Sequence, residues 1–137
     1  MSWLASRSAL ACWTSLAAVM LWASGCAKEE MPKTYVVHGK VVRKDGQPFT
    51  GGGAITFRPV SNQELQAYGE IAEDGTFTLH TVGHTQSGHA RNLQGTIAGE
   101  FQVQIEPPMG KGWAFWLSKT YRIEPNEKNE ITVVVDK

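Results

Sequence analysis

The chain has 137 residues, with 13 basic and 13 acidic side chains and a formal net charge of zero. That length suits one small domain, and the balanced charge implies no basic face, which argues against a nucleic-acid partner. The two cysteines, Cys12 and Cys26, leave little material for thiol catalysis or a cysteine-ligated metal.

The first segment reads as an export leader. Arg7 is its only charge, and a mostly apolar run from Ala9 to Trp22 follows. That run is about 14 residues, short of the ~20 that a membrane-spanning helix needs. A positive start, a short apolar stretch and small residues before a cut describe a secretory signal peptide. The small residues are Ala23, Ser24 and Gly25, and Cys26 follows. This tetrapeptide resembles a bacterial lipobox, with Ala23 where leucine is usual. The resemblance implies cleavage before Cys26 and lipid on its thiol. Residues 1–25 are thus expected to be the leader, 26–33 a lipidated cysteine with a short polar stalk, and 34–137 one domain. The expected address is the cell envelope, at the outer or inner membrane. Once cut, the chain keeps twelve basic and thirteen acidic side chains and no free thiol.

The domain begins with residues 34–44, rich in β-branched side chains. Tyr35, Val37, Gly39 and Val41 fall on one face, as period-two alternation requires. Asp45-Gly46 is a turn dipeptide. Residues 54–58 form a second expected strand, with Ile55 and Phe57 inward, and Pro59 ends it. Residues 68–72 and 76–81 are expected to pair as a hairpin about Asp74-Gly75, with Phe77 and Leu79 inward. Residues 82–95 hold three glycines and few apolar side chains, so an irregular loop is expected there. Residues 99–106 form another strand, with Phe101, Val103 and Ile105 inward, stopped by Pro107-Pro108. A short strand at 120–123, a turn at 125–129 and a last strand at 131–136 complete the pattern. No segment shows sustained 3.6-residue periodicity. Seven short strands separated by turns predict an all-β sandwich.

Several motifs in this order resemble carboxypeptidase regulatory-like domains, in the form of the small lipoproteins of planctomycete-type bacteria. They are Val37-His38-Gly39-Lys40-Val41, Asp45-Gly46-Gln47-Pro48, 52–59 (Gly-Gly-Ala-Ile-Thr-Phe-Arg-Pro), 74–79 (Asp-Gly-Thr-Phe-Thr-Leu) and 99–105 (Gly-Glu-Phe-Gln-Val-Gln-Ile). The resemblance implies a transthyretin-like, Greek-key-like sandwich of seven strands and no assigned catalytic residue. The segment before the last strands, with Lys119-Thr120-Tyr121 after a tryptophan-rich stretch, departs from the pattern.

Little else in the chain speaks for chemistry. His80 and His84 are four apart, a zinc spacing on a helix but not in a glycine-flanked loop. Ser61, Ser87 and Ser118 lie in no Gly-x-Ser-x-Gly elbow. Glu70, Glu73 and Asp74 sit near turns, where acids are usually solvated. The unusual feature is Gly110-Lys111-Gly112-Trp113-Ala114-Phe115-Trp116-Leu117, with three large aromatics within four residues, between glycines. Exposed, Trp113, Phe115 and Trp116 would suit a sugar, a protein partner or a membrane interface. Folded back, they would plug one end of the sandwich. The expected function is a non-catalytic, membrane-tethered binding or structural module, with no cofactor and no metal. Its expected partners are the membrane, through lipid on Cys26, and an envelope protein or a glycan. A carbohydrate-binding module using the tryptophans is the alternative, and a small envelope hydrolase a third reading.

Overall fold

A computed structural model describes residues 31–61, 65–84 and 88–136. The leader and Cys26 lie outside the described residues, as does Ser87. Among the described residues there is no helix, and so none long and apolar enough to cross a membrane.

Ten strands run in chain order: β1 (Val36–Arg43), β2 (Ala54–Pro59), β3 (Ala67–Glu70), β4 (Thr76–Thr78), β5 (His80–His84), β6 (Ala90–Gln94), β7 (Gly99–Glu106), β8 (Phe115–Trp116), β9 (Tyr121–Ile123) and β10 (Lys128–Val135). They form two sheets. The small sheet has the order β10-β1-β4, with β1 and β10 parallel from Val36↔Lys128 to Arg43↔Val135. The large sheet has the order β6-β5-β3-β2-β7-β8, and β9 also pairs with β7. The architecture is all-β and sandwich-like.

The alternation read from the sequence sets the core. Val37 and Val41 of β1, Ile55 and Phe57 of β2, Phe101, Val103 and Ile105 of β7, and Val133 and Val135 of β10 are fully buried. Phe57 is central to them. Its ring centroid lies 6.0 Å from Phe77, 5.9 Å from Phe101 and 6.5 Å from Tyr121, each pair tilted. Tilted aromatic pairs at such separations add to what burial alone contributes. Gly39 stands opposite Phe77 in the β1–β4 register, and a Cβ there would run into the Phe77 ring.

Two expectations about strands need correction. The segment 76–81 is not one arm of a hairpin with 68–72. The turn itself forms, since the Ala72 N–H donates to the Thr76 carbonyl at 2.8 Å. The chain then splits at Leu79. β4 pairs with β1 in the small sheet, whereas β5 pairs with β3 in the large one. Strands that change sheets in this way make the corners of sandwiches. The second correction concerns 82–95, which is largely a strand pair, β5 with β6, from His80↔Gln94 to His84↔Ala90. Its inward side chains are small or modest: Thr81, Gly83 and Leu93. Met31 and Leu93 lie over Gly83. Among the described residues, the seven expected strands thus become ten, and the last begins earlier, at Lys128.

The turn before β4 carries a titratable contact. Asp74 accepts hydrogen bonds from the Thr76 hydroxyl at 2.7 Å and the Thr76 N–H at 3.0 Å. These bonds hold its carboxyl below the usual carboxylate range. A carboxyl with a depressed folded-state pKa contributes stability above its unfolded pKa and loses it as pH falls through the folded value. The melting-temperature gap between wild type and Asp74→Ala is therefore expected to be constant from pH 7 to about 5, and to shrink below about 4. A gap unchanged at low pH would exclude the ionised contact.

Two ends of the molecule can now be distinguished. The chain enters β1 where Tyr35 pairs with Thr96, its N–H donating to the Thr96 carbonyl at 2.8 Å. Gly95 there has φ +82, and a Cβ on it would overlap the Tyr35 carbonyl oxygen, so only glycine fits. β1 is eight residues long, which carries the chain about 25 Å before Arg43. Arg43, Val135 at the end of β10, and Pro107 just after β7 all line one groove at the far end.

Candidate functional site

The far end is built by three segments: the end of β1, the loop 49–53 before β2, and the loop 107–114 between β7 and β8. Pro107-Pro108 stops β7, because proline supplies no N–H to continue a ladder. Gly110 and Gly112 take positive φ, at 80° and 134°, and let the loop fold outward. The Lys111 N–H donates to the Pro108 carbonyl at 2.9 Å and closes the loop. The loop carries two of the most exposed apolar side chains described, Met109 at 102% and Trp113 at 93% exposure.

The three aromatics separate by role. Phe115 is half-buried and packs against the core. Trp116 follows it on β8, opposite Gln104, and faces the other way. The Arg58 guanidinium lies 4.4 Å from the Trp116 ring centroid, which leaves the indole 42% exposed. Arg58 Nε is buried and has no hydrogen-bond partner. The stacking is worth at most about 1 kcal/mol. Arg58→Ala is therefore expected to cost no more than that, while iodide quenching of Trp116 rises. Unchanged quenching would mean that Arg58 does not shield the ring.

Trp113 and Phe115 line a groove of about 660 Å³ together with Arg43, Phe49, Thr50, Gly51, Pro107, Pro108, Lys111, Gly112, Ala114 and Val135. That volume falls within the range of small-molecule sites. Trp116 is not in its wall. The tryptophan pair suggested by the sequence is therefore not one platform, and the grouping that forms is Trp113 with Phe115 and Phe49. Phe49 and Arg43 carry no sequence signal of a site, because only the meeting of β1 with two loops assembles them; Lys111 lies within the unusual segment itself.

A second cleft, of about 600 Å³, brings together His38, Glu70, Thr76, Thr78 and His80. His38 Nδ1 and Thr78 Oγ1 are 3.1 Å apart. The β1–β4 register places these two residues directly opposite each other, so their contact is a cross-strand pair. Among the described residues, no carboxylate is hydrogen-bonded to the His38 ring to orient it as a base. His80 and His84 lie on β5, not in a loop. Four residues along a strand put them about 13 Å apart, beyond sharing one ion. No group of three His, Cys, Asp or Glu side chains is placed to hold a metal among the described residues. Ser61 and Ser118 are exposed.

No protein-family model, no curated protein and no solved structure matches this chain.

Proposed function

We propose that the protein is a lipid-tethered, non-catalytic binding module of the cell envelope, and that its binding face is the Trp113 end of the domain. The observation that carries this reading is Trp113 itself. With Met109 it forms an exposed apolar tip beside an open groove, the kind of surface that marks an interaction site. Among the described residues, the groove holds cations, hydroxyl and aromatic groups but no histidine, carboxylate or serine, which supports binding over catalysis.

Met31, five residues after the proposed tether, and the binding face lie at opposite ends. Five chain steps separate Cys26 from Met31, a reach of at most about 18 Å. Met31 lies against the β5–β6 pair, and the groove lies about 25 Å further along β1. A domain rooted this way presents Trp113 away from its own membrane. The transthyretin-like arrangement and membership of the carboxypeptidase regulatory-like domains belong to the same proposal. Two sheets about one core, a turn at Asp74-Gly75 and strands at 36–43, 54–59 and 99–106 support them.

A photo-crosslinking residue at position 113, compared with one at the exposed His84, tests the face in the native host. Adducts at 113 and none at 84 are expected. Adducts at neither position, or equally at both, would remove the Trp113 end as the binding face.

A further inference from the structure

We infer that the groove beside Trp113 takes an acidic glycan, a chain of sugar rings bearing carboxylate or sulfate groups. The inference rests on the binding face proposed above and names its ligand. Trp113 has its faces free, and a flat exposed indole is the surface on which the apolar face of a sugar ring stacks. Phe49 and Phe115 extend the apolar wall. Arg43 and Lys111 stand on the same groove, and neither has an ion-pair partner among the described residues. No acidic side chain lines it. Two unpaired cations beside a stacking surface are complementary to a sugar that carries negative charge, and a guanidinium matches a carboxylate or sulfate through two parallel N–H donors.

A second groove sharpens the choice. Trp113 lines it too, together with Glu106 and no cation. An anionic ligand is therefore steered to the Arg43 side. β8 covers the edge of β7 at Gln104 and Ile105, so an extended peptide cannot add to β7 there. A lipid surface is disfavoured, because the half-buried Phe49 and Phe115 lie recessed in the groove, where a flat bilayer does not reach them.

The test uses the protein purified as the cell makes it, in detergent, with Trp116→Phe. Cut before Cys26, this variant keeps Trp113 as its one tryptophan. Oligogalacturonate, alginate oligosaccharide and a sulfated heparin oligosaccharide are titrated against the fluorescence of Trp113, beside methyl-esterified oligogalacturonate and vesicles of phosphatidylglycerol with phosphatidylcholine. At least one acidic glycan is expected to give a saturable change that weakens with salt. Arg43→Gln with Lys111→Gln is expected to weaken it about tenfold or more. Both side chains are exposed, so both variants should fold. Equal response to the methyl ester and to the acid would overturn the charge assignment, and so would an unaffected double variant. A change in Trp113 fluorescence with vesicles alone would replace the glycan with a lipid surface. Silence with all three glycans would overturn the glycan but leave the binding face standing, because crosslinking at position 113 reads that separately.

Discussion

Phe57→Ala is expected to cost about 3–5 kcal/mol of folding stability. Phe57 is fully buried, and three aromatic rings from β4, β7 and β9 close on it. Truncation removes its transfer energy and leaves a cavity whose walls belong to both sheets. Such walls cannot collapse without moving the sheets together. A domain of this size has about 5–15 kcal/mol in all, so the loss is a large share of the total. Urea unfolding followed by circular dichroism should show a lower midpoint with an unchanged slope. Val134→Ala, on the exposed side of β10, should shift it by under about 0.5 kcal/mol. Equal effects at the two positions would mean that the two sheets do not share the core described.

Cys26→Ala is expected to move the protein from the membrane fraction to the soluble fraction. Each buried methylene contributes about 0.8 kcal/mol, and two acyl chains are enough for stable attachment. Among the described residues, the exposed apolar tip formed by Met109 and Trp113 lies at the end remote from Met31, so it is not expected to compensate for their loss. The variant should keep the far-ultraviolet spectrum of the wild type. Retention in the membrane fraction would refute lipid on Cys26 and would leave an uncut leader or the Trp113 loop as the anchor.

The parts of the fold that can be read from the sequence are those where large apolar side chains alternate. Val37 and Val41, Ile55 and Phe57, Phe101, Val103 and Ile105, and Val133 and Val135 all point where period two places them. The β5–β6 pair escaped that reading because Thr81, Gly83 and Leu93 are too small or too few to mark an inner face. Met31, which the sequence places in a stalk, covers part of it instead. The break at Leu79 escaped for another reason. Phe77 and Leu79 both face the core, so alternation continues unbroken while the hydrogen-bond partner changes from one sheet to the other. In the candidate site, Trp113 and Phe115 are conspicuous in the sequence. Arg43 and Phe49 are not, since they lie more than 60 residues away and reach Trp113 only where the end of β1 and the loop before β2 meet the loop after β7. The carbohydrate alternative used Trp113 and Trp116 together, but strand geometry turns the successive side chains of β8 to opposite faces, and Trp116 faces Arg58 instead.

The central claim is that the domain stands on its lipid with Trp113 facing away from the membrane. The direct measurement is depth-dependent quenching of Trp113 in the Trp116→Phe protein reconstituted into vesicles. The account predicts strong quenching by acrylamide in the aqueous phase and none by brominated acyl chains. Quenching by the brominated lipid, with protection from acrylamide, would contradict it and would put the Trp113 loop in the bilayer.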